Sequence, residues 1–278
     1  MTTTTRRRPR RSRALLFLFF GSVAAAACDD CRDRIPVESV PEKPYPSCGD
    51  GPLPEGELIG SGHLRPGPAM RDQKAVVERF EIRKRDCLYV VTVRQEWSLG
   101  TSDVEVIYDE ALRPLRAWKR MLLPAAEDPV EEADIRLYEL RNDPPTLAWR
   151  RPSGELEYRV LKGGQPEAVV GPGRGILSMW IRAARLEPGE KQRVPVLDFR
   201  KDVENVEPVT LMREQDQDEP GLGGRVRVYT VFGRETVFTD DRGIVVGDLR
   251  GLRPDESLDT PPPEPLPPVP PPDPVHTP

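Results

Sequence analysis

From Val76 to Val246 the chain repeats one short pattern, apolar and polar residues in alternation, in runs divided by polar turns. Val76 to Arg83 is such a run, and LYVVTVRQEW from Leu88 to Trp97 follows after a short Lys84-Arg85-Asp86 turn. A period of two sends successive side chains to opposite faces of a pleated strand, so these two runs predict a hairpin. Further runs cover Val104 to Tyr108, Leu115 to Met121, Asp134 to Leu140, Leu147 to Arg151 and Leu156 to Leu161. Others lie at Gln192 to Phe199, Val206 to Arg213, Arg225 to Phe232, Thr236 to Thr239 and Gly243 to Val246. Antiparallel strands with one buried and one wet face read in this way.

One stretch breaks the period. In GPGRGILSMWIRAARLEPG, Leu177, Trp180, Ile181 and Ala184 recur at helical spacing while Ser178, Arg182 and Arg185 fall off the stripe. That pattern predicts an amphipathic helix over 176–186, ended by Leu186-Glu187-Pro188-Gly189. A parallel α/β fold needs a crossover helix for each strand pair, so one helix among roughly ten strands excludes it. The expected fold over residues 74–250 is mainly β: a curled antiparallel sheet, a half-barrel, wrapping one amphipathic helix. Leu177, Trp180 and Ile181 are expected to form one wall of an apolar ligand cavity on its concave face.

Both ends of the chain differ from this body. Residues 28–73 form a Pro/Gly-rich linker in which neither period survives, and 251–278 a Pro-rich disordered tail. The tail's proline run favours polyproline II, which suits a spacer or a peptide that docks into a protein partner's aromatic groove. Residues 1–27 have the make-up of a signal peptide: six arginines, then an apolar run from Ala14 to Ala27. That run falls short of the roughly 20 residues that span a bilayer. It closes on Ala25-Ala26-Ala27-Cys28, which resembles the lipobox of bacterial lipoproteins. The resemblance implies a lipidated Cys28 that anchors the protein in a membrane of the bacterial cell envelope, facing the periplasm, or a secreted protein if Cys28 is not modified.

Removing 1–27 takes away six arginines and no acids, so the formal charge moves from -5 to -11. Nucleic acid is therefore not an expected partner, because phosphate neutralisation needs clustered Lys and Arg. Of the four cysteines, Cys28-Asp-Asp-Cys31 precedes a linker rather than opening a helix, which argues against thioredoxin-like chemistry. With Cys28 lipidated, the expected disulfide is Cys48 with Cys87, the alternative being Cys31 with Cys87.

Chemistry is sparse. His63 and His276 fall in the linker and the tail, so a Ser-His-Asp or Cys-His arrangement is not expected in the folded part, nor is catalysis. GPGRG before the helix lacks the Lys and Ser/Thr of a phosphate loop and is expected to be a flexible helix entry. The loop around Asp216, Asp218 and Glu219 lacks the spacing of a calcium loop, and Asp240-Asp241-Arg242-Gly243 suits a hairpin turn with a left-handed glycine. No metal or cofactor is expected.

Ile176 to Arg182, Leu186 to Glu190, Val194 to Asp198 and the late Phe238-Thr239-Asp240-Asp241-Arg242-Gly243 are together similar to a family of exported bacterial proteins known as a domain of unknown function. Ile244-Val245-Val246 departs from that family, which commonly has a proline there. The resemblance implies a half-barrel akin to the lipoprotein carriers LolA and LolB, whose concave face takes up acyl chains. The functional expectation is a membrane-anchored protein that binds a lipid or other apolar ligand in that face. The alternative is an envelope structural or interaction protein with a filled core, binding through its surface or tail.

Overall fold

The computed structural model describes residues 56–67, 76–97, 100–123, 132–171, 173–200 and 205–255. Cys28, Cys48 and the Pro-rich tail after Asp255 lie outside them. The described chain is mainly β, as the alternating runs predict. β1 (Glu57–Pro66), β2 (Val77–Arg85), β3 (Leu88–Trp97), β4 (Gly100–Tyr108), β5 (Pro114–Leu123), β6 (Glu132–Glu139), β7 (Thr146–Arg150) and β8 (Leu156–Val160) pair antiparallel in chain order. A second, curled sheet is built from β9 (Ala168–Val170), β10 (Lys191–Asp198), β11 (Val206–Arg213), β13 (Gly224–Val231), β14 (Glu235–Thr239) and β15 (Val245–Asp248), with β12 (Gln217–Glu219) paired to β13. The chain then returns to the first sheet as β16 (Leu252–Pro254), beside β1.

Two boundaries move. The stretch 28–73 is not all linker: Glu57–Pro66 is a full strand. Its period is hidden because the inward positions before Leu64 are glycines. A Cβ on Gly62 would meet the Phe80 ring at 2.2 Å, and one on Gly60 would meet Ile244 at 2.7 Å, so contact with the core demands the missing side chain. The 251–278 stretch likewise begins with a short strand, since Leu252 is buried against the body.

The helix α1 spans Arg174–Ala184, two residues earlier than its expected span at each end. It lies between β9 and β10, which form the one parallel pair among the described strands. The single helix therefore serves a single crossover, as a parallel connection requires. Ile176 and Met179 pack into one cluster with Phe80, Val91, Val93, Val104, Val106 and Tyr138 of the large sheet. Leu177, Trp180 and Ile181 pack into another with Val194, Val196, Leu211, Val231 and Val237 of the curled sheet. Every residue from Arg174 to Ile181 is buried, so the amphipathic stripe faces one sheet and the opposite side of the helix faces the other. The register explains the shared core: Ile82, Val91, Val106, Ala117, Tyr138 and Leu147 align across six strands on one face.

A network of charges fixes the start of α1. Gly173 at the N-cap has no side chain to offer. The Glu78 carboxylate on β2 takes its place, accepting from the Arg174 amide with one oxygen and from Gln95 Nε2 at 3.0 Å with the other. Arg174 reaches Asp248 at 2.6 Å and Glu235 at 3.3 Å, and Arg200 joins Glu235 to Asp198. A carboxylate is favourable at a helix N-terminus because the exposed amides carry partial positive charge. Burial nevertheless pushes the Glu78 carboxyl up, against the pull of Arg174 and the helix amides. Gly175, expected in a flexible entry, lies instead in the first turn of α1: a Cβ there would stand 2.7 Å from the Phe80 ring, so the glycine is needed for close approach.

Candidate ligand-binding cleft

The C-terminal end of α1 opens where the other end is locked. Arg185 closes the helix with φ 48°, a left-handed conformation, its amide donating to the Ile181 carbonyl. Glycine is the usual residue at such a cap, since a Cβ is strained there. Around this end lies a cleft of about 810 Å³, a volume that suits a small ligand.

Its apolar lining includes Leu58, Ile59, Leu112, Ile181 and Leu186, with Tyr89 and Tyr229. Leu58 is 50% exposed, an open aliphatic group at the lip. Leu112 comes from the β4–β5 turn and also has positive φ, at 61°. Two of the four non-glycine residues with positive φ among those described thus line one cleft. Such strain is retained where the surroundings over-determine it, as functional sites often do.

Five arginines complete the lining: Arg182, Arg185, Arg213, Arg227 and Arg242. Glu57, Glu110 and Glu187 are its acids, all exposed, so the cleft carries two positive charges in excess within an acidic chain. Arg213 is engaged by Asp216 at 3.0 Å and by the Leu186 carbonyl, and Arg242 by Asp240 at 3.0 Å. Arg182 is different. It has no ion pair among the described residues: it donates to the Arg242 carbonyl at 3.2 Å, and its buried Nε, like that of Arg213, has no partner among them. Burial, with the Arg242 charge adding to it, holds its pKa below the ordinary arginine value.

Of the three helix residues predicted to line a cavity together, Ile181 reaches this cleft and Leu177 and Trp180 do not. Leu177 and Trp180 are buried between the helix and the curled sheet because two layers of strand, not one, enclose α1. Cys87 is disulfide-bonded, at the β2–β3 turn two residues from Tyr89, while the proposed partner Cys48 is outside the described residues.

His63 also moves, from linker to folded body. It sits on β1, its Nε2 accepting from Arg79 at 3.0 Å and its Nδ1 3.7 Å from the Asp255 carboxylate. Burial, then Arg79, lowers its pKa. Its ring nitrogens thus face a guanidinium and a carboxylate, with no hydroxyl or thiol among its described partners. Asp240 accepts from the amides of Arg242 and Ile244, and Gly243 has φ 81°, the turn expected from sequence. No group of three metal-ligating side chains occurs among the described residues.

The arginines were not singled out from sequence. Arg182 and Arg185 fall off the apolar stripe, and in a helix with one wet face they would be solvated. A helix enclosed by two sheets has no ordinary wet face, and its polar end has to open into a cleft.

No family model matches the sequence, and no curated protein matches it. Among solved structures, the chain is similar to a DUF1089 family protein from Pseudomonas aeruginosa, at 12% identity and TM-score 0.36, covering 73% of this chain and 95% of that one. It is also similar to a β-barrel-like protein of the domain of unknown function DUF1849 from Brucella abortus, at 14% identity and TM-score 0.37, covering 67% and 81%. At these TM-scores the likeness carries no argument about this chain.

Proposed function

We propose that the protein is a non-catalytic binding module that takes an apolar or amphiphilic ligand, a lipid in the first instance, into the cleft at the end of α1. The observation that carries this reading is the cleft itself: about 810 Å³, lined by Ile181, Leu186 and the exposed Leu58 together with arginines and glutamates. Concave sites with apolar walls and a few convergent polar groups are where small ligands bind. In this reading the chain is held in the bacterial envelope by a lipid on Cys28, and the Pro-rich tail extends from the body as a spacer.

A second reading has its own observation. Leu177 and Trp180 fill the layer between helix and curled sheet, as in an interaction protein whose core is closed. Titrating the full chain with a fluorescent long-chain lipid separates the two. The ligand reading expects saturable binding that Leu58→Asp weakens without lowering the melting temperature, because Leu58 is half exposed and packs little. Absence of saturable binding by a folded chain transfers the proposal to the interaction protein.

A further inference from the structure

The arginines of the cleft are unequal, and the inequality identifies what kind of ligand group belongs there. Elsewhere, arginines that are largely withdrawn from solvent are matched by carboxylates, Arg174 by Asp248 and Glu235 and Arg136 by Asp134, and within the cleft Arg213 is matched by Asp216. Arg182, half-buried in the last turn of α1, forms no ion pair with any described residue, nor do Arg185 at the helix cap and Arg227 on β13. A guanidinium has five N–H donors, and Arg182 uses one of them on a carbonyl.

Its position near the negative end of the helix dipole is favourable, but that effect stabilises a cation without satisfying its N–H groups. A half-buried guanidinium with no direct ion pair and most of its N–H donors unused is costly, and natural folds retain one chiefly where something else completes it. Arg185 adds strain to the same place, holding a left-handed backbone that glycine would adopt freely. Arg227 approaches from the opposite sheet, where it and Arg213 act on the buried Tyr229. Three cations without an ion pair among the described residues, two from the end of α1 and one from β13, therefore line one cavity beside the aliphatic Leu58, Ile59, Leu112, Ile181 and Leu186.

We propose that this cleft recognises an anionic group of its ligand, a phosphate or carboxylate, through Arg182 with Arg185 and Arg227, while the ligand's apolar part lies on Ile181, Leu186 and Leu58. The inference rests on the reading of the cleft as a ligand site and adds the charge of what it binds. Planar guanidinium groups suit both anions because their paired N–H donors match two oxygens at once. The two possible sources are the headgroup of an acidic lipid and a free small anion.

The test is calorimetric titration of the full chain with decyl phosphate, with decanol and with inorganic phosphate. Decyl phosphate should bind at least about tenfold more tightly than decanol, the order expected for one charge-assisted contact. Arg182→Gln and Arg227→Gln should each weaken decyl phosphate by about tenfold and leave decanol unchanged. Arg227→Gln supplies the check if Arg182→Gln lowers the melting temperature, since Arg227 lies on a strand and makes no ion pair with a described residue. Competition by inorganic phosphate supports the proposal with a free anion as the source; decyl phosphate binding that inorganic phosphate does not displace supports it with a headgroup. Equal affinity for decanol and decyl phosphate, or indifference of both to the two substitutions, overturns the anion inference and leaves the ligand reading standing. Binding of none of the three overturns both.

Discussion

Replacing Glu78 by alanine should destabilise the fold more than its place on a strand suggests, because the carboxylate belongs in function to the helix. It caps the Arg174 amide, receives Gln95 Nε2 and is fully buried. Alanine removes the acceptor of the Arg174 amide and one acceptor of Gln95 at a buried position. Loss of a helix cap costs about 0.5 to 2 kcal/mol, and each buried donor left unsatisfied about 1 to 3 kcal/mol. Arg174 keeps Asp248 and Glu235, so its charge is not abandoned, and we expect a total of about 3 to 5 kcal/mol from these costs. For a domain of this size that lowers the melting temperature by roughly 6 to 20 °C.

Glutamine keeps an acceptor oxygen, and Glu78→Gln should cost about 1 kcal/mol near neutral pH. The pH dependence has a definite sign. Burial raises the Glu78 pKa in the folded state above its ordinary value, so the native protein holds the proton more readily than the unfolded chain does. Stability is then favoured below the ordinary carboxylate range and eroded as pH rises through the window above it. The Gln variant lacks that erosion, so its stability relative to wild type should improve with rising pH. Urea unfolding of wild type and both variants across the acidic to neutral range reads all of this. A Glu78→Ala loss under 1 kcal/mol, or a Gln variant that falls further behind as pH rises, refutes the reasoning.

Gly175→Ala should cost about 1 to 3 kcal/mol, since its Cβ would stand 2.7 Å from the Phe80 ring, and Phe80→Leu in the same chain should recover part of the loss in thermal melts. Trp180→Ala should cost about 3 to 5 kcal/mol and Trp180→Phe only about 1, because the indole N–H has no hydrogen-bond partner among the described residues to lose; equal costs in chemical unfolding would count against the packing described. Arg185→Gly should raise stability by about 1 kcal/mol by relieving a left-handed backbone, while weakening an anionic ligand in titration. A variant that is both less stable and unchanged in binding would contradict the role given to that cap.

The strands were legible because one face of each is buried and alternation records it: Val206 to Arg213 appears in the structure with those same bounds. β1 was not, because Gly60 and Gly62 stand where apolar side chains would have marked the inward face. β9, with three residues, is too short to show a period, and its parallel pairing depends on a partner beyond the helix. The helix pattern gave α1 and its stripe, but not the second sheet that covers the other side, since Ile176 and Met179 lie among residues equally suited to a single layer. The cleft was hidden for the same reason. Its lining comes from β1, the start of β3, the β4–β5 turn, the end of α1 and the curled sheet, and nothing local in the sequence brings Leu58, Arg182 and Arg227 together.

The central claim, that the cleft at the end of α1 holds a ligand, is tested most directly by photo-crosslinking the full chain with a long-chain phosphate carrying a diazirine in its tail, followed by peptide mapping. The account predicts saturable labelling on peptides containing Leu58 and Ile59, Tyr89 or Leu112, competed by decyl phosphate and reduced in Arg182→Gln. Labelling that is unsaturable, or that falls on strands away from the cleft and ignores the Arg182 substitution, would contradict it.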